Sequence, residues 1–339
     1  MESVVNLLRP METSTIIVCV RDRFSCMAEC LDRLILHTPE PHDLIVVAGG
    51  VSTRTRSGWL RRFGERARFI FEPHFLNQAQ ARNIGLRAAT ARFAVVMDND
   101  VFVRAGWLTG LMECQRETGA VMVVPVILEA ERRIHTAGNS LYVTHENGRA
   151  FGHKELRFYG MPYVDSSNLK RERVDYGELH CQFVEVEPTL RLGVFDENIL
   201  EVGEVDSGLT WAKAGYTMWF TPASVVHYQL QGPIAAEDIR LFDWRWNMRS
   251  ILKGYRYFEQ KWNLDITERG RFRTFLFHYN SQLGLLPRLF PSRVALRIEH
   301  SLDRLGGAAL KPLRAPHWLL SNLQGWWIGY FDWPSSSGD

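Results

Sequence analysis

The sequence predicts an α/β fold: a doubly wound, mostly parallel sheet with helices on both faces, followed by a helical extension. Three observations predict it. Between residues 15 and 125 short apolar runs alternate with helical patterns, the order that produces parallel strands joined by right-handed crossovers. The run Phe93-Ala94-Val95-Val96-Met97 is apolar throughout, as a central strand covered on both faces must be. It delivers Asp98, Asn99 and Asp100 at the end of the sheet where ligands bind. Beyond Pro233 helical patterns dominate.

The elements follow in order. The first strand is Ile16-Ile17-Val18-Cys19-Val20, then Arg21-Asp22-Arg23 and a helix over residues 25–36, with Ser25 as its cap and Pro39 and Pro41 beyond its end. Asp43-Leu44-Ile45-Val46-Val47 completes a βαβ unit and runs into Ala48-Gly49-Gly50. A helix over 55–66 leads to the short strand Arg68-Phe69-Ile70-Phe71. In the helix over 77–89, Ala81, Ile84 and Ala88 recur at helical spacing, which leaves Arg82 and Asn83 near its first turns. After the strand ending at Asp98 come a helix over 106–118 and a strand over 120–125. Residues 127–175 carry Gly138, Gly148, Gly152 and Gly160 and read as loops and short strands; His135, His145, His153 and His180 are scattered in and just beyond this stretch.

A further strand is predicted over 181–188, then the turn Phe195-Asp196-Glu197. A helix begins at Gly203-Glu204-Val205-Asp206 and ends with Gly215 in the position of a C-cap. Strands over 217–220 and 223–228 complete the domain. Helices are expected over 238–258, 268–283 and 293–305, separated by Pro and Gly breaks, and residues 334–339 are expected to be disordered. The expected division is therefore a catalytic domain over 1–232, a helical, basic and aromatic-rich extension over 233–333, and the tail.

With 339 residues, 46% of them hydrophobic and 23% charged, the chain has enough apolar surface for one large domain and an appendage. A formal charge of +2 is too small to point to nucleic acid, which is not expected as a partner. Between Arg269 and Arg314, however, nine basic residues stand against two acidic ones, interleaved with aromatics. With Trp318, Trp326, Trp327 and Trp333 this makes the extension a candidate for peripheral membrane contact or for a homodimer. The five cysteines lack a double CxxC pattern and suit a reducing compartment. No N-terminal secretory pattern and no run of roughly 18 apolar residues is visible, so the expected location is cytoplasmic, with or without attachment to a membrane surface.

Asp98 and Asp100 stand two residues apart where a parallel strand leaves the sheet. Both carboxylates can reach one hard cation, and that cation can hold a diphosphate. Five segments in order then resemble the family 2 glycosyltransferases of the GT-A fold. They are the first strand; Ala81-Arg82-Asn83-Ile84-Gly85; Val95-Val96-Met97-Asp98-Asn99-Asp100; Gly193-Val194-Phe195-Asp196-Glu197; and Gly203-Glu204-Val205-Asp206 through Ala214-Gly215-Tyr216 to Pro222-Ala223 and His227. The resemblance spans roughly residues 15–228.

The resemblance implies an inverting transfer of a sugar from a nucleotide-diphosphate sugar to a hydroxyl of a carbohydrate, glycolipid or small-molecule acceptor, assisted by Mn²⁺ or Mg²⁺. It implies Asp98, Asp100 and His227 as the metal shell, with Asp98 also facing the ribose. It places the donor against Val20, Arg21, Ala48, Arg82, Asn83, Asp98 and Asn99. The general base falls on Glu204, with Asp206 in reserve and Glu201 behind it. The chain departs from the family pattern twice. Gly203 occupies the first acidic place of the Glu-Asp motif, and Val47-Ala48-Gly49-Gly50-Val51-Ser52 replaces the acids that read the nucleobase, which leaves backbone groups or Ser52 for that task. These departures favour a competing reading, an inactive carbohydrate-binding or scaffolding module. A sugar nucleotidyltransferase is the third reading, but Arg21-Asp22-Arg23-Phe24 lacks the glycines of its loop.

Overall fold

The computed structural model describes residues 13–129, 132–229 and 234–266. In chain order the first half comprises β1 (Ser14–Cys19), α1 (Met27–His37), β2 (His42–Gly49), α2 (Thr53–Phe63), β3 (Arg68–Glu72), α3 (Gln78–Ala88), β4 (Phe93–Asp98), β5 (Val101–Val103), α4 (Trp107–Thr118) and β6 (Met122–Glu129). Then come β7 (Arg133–Thr136), β8 (Asn139–Glu146), β9 (Arg149–Leu156), β10 (Glu172–Val174), β11 (Cys181–Glu185), α5 (Val186–Arg191), α6 (Gly203–Lys213), β12 (Met218–Tyr228), α7 (Ile239–Arg245) and α8 (Met248–Trp262).

The main sheet runs β10-β12-β6-β11-β4-β1-β2-β3, with β5 on β12 and β7 on β6. β1 through β4 are parallel, and β12 is parallel to β6. β11 is inserted antiparallel between β4 and β6. That insertion positions the site: the N-terminal end of β11 comes to lie beside the C-terminal ends of β1, β4 and β12.

The strands are apolar without alternation because both faces are covered. Ile16 and Val18 of β1 join Val46, Val95 and Met97 under α1, α2 and α4, where Leu31, Leu34, Trp59 and Leu108 are buried. Ile17 and Cys19 join Ile45, Val47, Ala94 and Val96 on the other face, under Ala81, Leu86 and Trp211. Each such buried aliphatic or aromatic side chain contributes about 1.5–3 kcal/mol. A third cluster joins Tyr176, Ile199, Val202 and Val205 to Phe242, Ile251, Tyr255 and Phe258, so that α7 and α8 pack on the sheet domain.

Several sequence expectations are corrected. The strand over 181–188 stops at Glu185, because Pro188 has no N–H for the ladder and sits instead in the first turn of α5. The strands over 217–220 and 223–228 are one strand, β12, whose register shifts between Phe220 and Val225 around Pro222. The helix over 238–258 is two helices, and Asn247 caps the second by accepting from the Ser250 N–H at 3.1 Å. Ser25 does not cap α1; the cap position is Cys26, and the Ser25 hydroxyl donates to Asp238 at 2.5 Å. Within 127–175 the chain forms a hairpin of two eight-residue strands, β8 and β9, turned by Asn147 and Gly148 with φ of 49° and 76°. The helices over 268–283 and 293–305 and the tail lie outside the described residues.

α3 packs tightly on β1. A Cβ added at Gly85 would stand 2.2 Å from Ile17 Cγ2, in the middle of the sheet. Gly85→Ala is therefore expected to lower stability by about 1–3 kcal/mol through overpacking, read as a lower urea midpoint at unchanged slope.

Candidate active site

The turn after β4 is held by its own middle residue. Asn99 accepts from the Arg21 N–H at 3.1 Å and donates to the Arg23 carbonyl at 2.7 Å, which ties the exits of β4 and β1 together. Asp98 and Asp100 consequently point away from this clasp into a buried polar chamber. Asp98 accepts from Arg82 Nη2 at 2.7 Å and from Gln78 Nε2 at 3.1 and 3.2 Å. Gln78 and Arg82 are four residues apart on α3 and so share one face. The Asn77 side chain and Gln80 form a capping box that starts α3 just before them.

Electrostatics divide the two acids. Burial pushes the Asp98 carboxyl up, but the Arg82 guanidinium, with neighbouring His180 and Arg21, outweighs this and holds it at about 2. Asp100 has Arg21 Nη1 at 3.5 Å, and its Oδ1 is buried with no hydrogen-bond partner. Burial pushes it to about 7; Arg21 opposes the rise, and the charges of Asp98 and Asp22 add to it. His180 stands at the start of β11, with Nδ1 3.4 Å from Asp98 Oδ2, and stacks on Tyr228 with ring centroids 4.4 Å apart. Burial lowers His180 to about 4, so its ring is neutral near pH 7. One ligand atom from each of Asp98, Asp100 and His180 falls within 4.8 Å of the others. An orphaned carboxylate oxygen beside a second carboxylate and a neutral imidazole is a donor set that fits Mn²⁺ or Mg²⁺.

The remaining predicted residues are distributed around this centre. Arg21 lies in it, with its guanidinium 5.4 Å from the Tyr228 ring centre. Arg82 is fully buried behind Asp98 and also donates to the Leu179 carbonyl at 2.6 Å. Val20 and Ala48 are buried at the strand ends. Asn83 faces elsewhere, donating to the Phe195 carbonyl and to Glu197, each at 2.9 Å. His227, on β12, is in register with Phe102 of β5 and Leu128 of β6, one residue before Tyr228 and so on the opposite face of the strand; the imidazole grouped with the two acids is that of His180. Glu204, in the first turn of α6, is buried and paired with Lys154 of β9. Asp206 is occupied by α8, accepting from Lys261 at 3.1 Å and from Trp262 Nε1 at 2.7 Å. Glu201 pairs with Arg245 at 2.8 Å.

At the expected nucleobase edge, segment 74–76 lies directly on the Gly pair. A Cβ at Gly49 would meet the His74 carbonyl at 2.1 Å, and Gly50, at φ +68°, sits under the Phe75 ring. The Ser52 hydroxyl caps α2, accepting from Thr55 N–H at 3.1 Å.

Sequence reasoning missed Gln78, Tyr228, Lys154 and Arg245, and named His180 only among four scattered histidines that could line the acceptor side. Gln78 had a signal, its spacing of four from Arg82. The others reach the site through β11, β12, β9 and α7, whose placement no local pattern announces. α7 closes the chamber: Arg245 donates to Gln78 at 3.2 Å, Trp246 to Asp22 at 3.0 Å, and Asp238 accepts from the Phe24 and Ser25 N–H groups at 2.6 and 3.2 Å.

A mostly parallel sheet whose fourth strand ends in Asp-x-Asp, with an antiparallel strand inserted beside it, is the GT-A fold. Residues 15–168, the stretch from β1 to β9 that includes Asp98 and Asp100, match the family model described as Glycosyl transferase family 2. Glu204 and His227 lie beyond the matched stretch. Among solved structures the chain is similar to the crystal structure of GalNAc-T7 with UDP, GalNAc and Mn²⁺, at 14% identity and a TM-score of 0.52. The likeness covers 80% of this chain and 55% of that one, so the chain spans about half the neighbour's length, and what the two share is the fold. No curated protein matches the sequence significantly.

Proposed function

We propose that this protein is an inverting, metal-assisted glycosyltransferase that moves a sugar from a nucleotide-diphosphate donor to an acceptor hydroxyl. The observation that carries the reading is the buried Asp100 oxygen without a partner, facing Asp98 and His180 at the ligand-binding end of a GT-A sheet. The neighbour's complex with UDP and Mn²⁺ supports the same donor class here.

Asp100, with Asp98 and His180, would hold Mn²⁺ or Mg²⁺; His227, which the family resemblance implies, is the alternative nitrogen ligand. When bound, the ion supplies Lewis-acid stabilisation of the charge that develops on the leaving diphosphate. Arg21 adds positive charge on the same side. Asp98 is kept ionised by Arg82, which makes it an acceptor for a ribose hydroxyl and a fixed wall of the chamber. Asn99 holds the Arg21 backbone, and through it the donor side of the site, in place.

Glu204 serves as general base. The acceptor oxygen attacks the anomeric carbon from the face opposite the leaving oxygen, the bond to the diphosphate breaks, and the hydroxyl proton passes to the Glu204 carboxylate. Lys154 pairs with that carboxylate, so an acceptor hydroxyl that reaches Glu204 must take the place of this contact. Asp206 is the less favoured base because Lys261 and Trp262 already occupy its oxygens.

The test is a panel of UDP-, GDP- and dTDP-sugars with Mn²⁺. One donor is expected to be slowly hydrolysed in the absence of acceptor. If none is turned over and none binds in a metal-dependent way, the chain is a carbohydrate-binding or scaffolding module. Glu204→Gln is expected to lose transfer by about 10²–10⁴-fold while donor affinity stays within twofold, measured by calorimetry. Equal activity in that variant moves the base to Asp206. Among the described residues no helix is long and apolar enough to cross a membrane. Sedimentation with anionic liposomes tests the proposed membrane contact of the extension, and absence of salt-sensitive pelleting removes it.

A further inference from the structure

Beside the Asp98–Asp100 turn a second group of donors converges. His135 comes from β7, and Glu178 and His180 from the entry to β11. One ligand atom from each falls within 4.8 Å of the others. Donors held at about 2.1 Å by one tetrahedral ion lie about 3.4 Å apart, so small side-chain rotations close the group.

Three further observations mark this group as a built site. The first is the orientation of His135. Its Nδ1 lies 3.0 Å from Glu129 Oε2, and a carboxylate at that distance accepts a hydrogen bond from the Nδ1–H tautomer, which leaves the lone pair on Nε2. A carboxylate behind the ring is the usual support of a metal-bound histidine. β6 and β7 present the two residues together, since they are adjacent antiparallel strands. The second is His180, which is only 6% exposed and whose Nδ1 stands 3.4 Å from Asp98 Oδ2 without hydrogen-bond geometry, so the ring is held between Asp98 on one side and the His135–Glu178 pair on the other. A buried imidazole nitrogen with no hydrogen bond costs stability unless something binds it. The third is the wall. The Tyr228 ring stacks on His180 and lies 5.5 Å from that of His135; the Tyr159 ring meets His135 edge-on at 6.0 Å, and the two imidazoles meet at 5.3 Å. These contacts hold both rings in place and limit access of water.

We propose that His135, Glu178 and His180 form a second divalent-cation site, specific for a borderline transition metal of the Zn²⁺ or Co²⁺ type, with Glu129 as the positioning residue of His135. Two imidazoles and one carboxylate disfavour Mg²⁺ and leave a fourth position open. The site takes no ligand from Asp98 or Asp100 and shares only His180 with the one that Asp100 would serve. The inference does not rest on the glycosyltransferase reading, because it requires no nucleotide.

The probe is Co²⁺ titrated into the full chain without nucleotide, followed by its visible absorption. One tightly bound equivalent with an imidazole-type spectrum is expected, displaced by Zn²⁺ and not by millimolar Mg²⁺. His135→Ala and Glu178→Gln are each expected to weaken Co²⁺ binding at least about tenfold, and Glu129→Gln by about tenfold through the unanchored ring. Asp100→Asn is expected to leave the affinity within twofold. The proposal is overturned if the spectrum survives unchanged in both His135→Ala and Glu178→Gln, or if Asp100→Asn abolishes it as fully as His135→Ala. Circular dichroism of each variant separates loss of a ligand from loss of the fold, and the isosteric Glu178→Gln decides where His135→Ala fails to fold.

Discussion

Replacing Asp100 by asparagine is expected to abolish metal-dependent donor hydrolysis, by at least about 10³-fold, while the protein stays folded. The replacement keeps the shape of the side chain and removes only the charge on the oxygen that has no hydrogen-bond partner. Because burial raises the Asp100 carboxyl from its usual 3.8 to about 7, ionising it in the folded chain is unfavourable. The sign follows from that. A carboxyl whose folded pKa lies above its unfolded one binds its proton more tightly when folded, so its contribution to stability declines as pH rises from about 4 to about 7. Asp100→Asn should flatten that decline, and its melting temperature at pH 8 should equal or exceed that of the parent. A cation must displace the same proton, so Mn²⁺ affinity should fall by up to about tenfold per pH unit below pH 7 and level off above it. Calorimetric Mn²⁺ titrations at pH 6 and pH 8 measure this; equal affinities at the two values would remove Asp100 from the metal shell.

Replacing Arg82 by methionine is expected to cost about 3–5 kcal/mol, the range for removing one partner of a buried ion pair. Both side chains are almost wholly inaccessible, and the Asp98 carboxylate would be left with the Gln78 amide, His180 and the more distant Arg21. Urea unfolding reads the loss directly. The double variant Arg82→Met with Asp98→Asn should recover much of it, because the cost lies in the stranded charge and not in the guanidinium as such. The pair also sets a pH window. The folded Asp98 pKa, about 2, lies below the ordinary 3.8, so its stabilisation is complete above that value and is lost as pH falls towards 2. A loss below about 1 kcal/mol in Arg82→Met would mean that water reaches the pair in solution.

Much of this architecture was legible in the sequence. β1, β2 and β4 are unbroken apolar runs because each is covered twice, and an apolar run of strand length carries that information locally. The Asp-x-Asp turn follows from its place at the end of β4, and the first-turn acids of α6 from the Glu-Val-Asp string ahead of an apolar helix. The misreadings have local causes too. Pro188 and Pro222 both fell in apolar stretches, yet one begins a helix and the other sits in a bulge. The β8–β9 hairpin carried its own signal, Asn147-Gly148, which the surrounding polar, Gly-rich composition masked.

What the sequence by itself determined is which residues are buried and where acids leave the sheet, because period, apolarity and turn chemistry act over a few residues. Only the tertiary structure decided what those acids meet. The antiparallel insertion of β11 brings His180 to Asp98 across about 80 residues of chain, so that a late element sets an imidazole beside the two acids. The packing of α8 gives Asp206 Lys261 and Trp262 as partners, and the β9 strand gives Glu204 its Lys154. Each of these assignments depends on which charges meet where water is excluded, and that is a property of the assembled core, where a buried acid must find a cation or a donor.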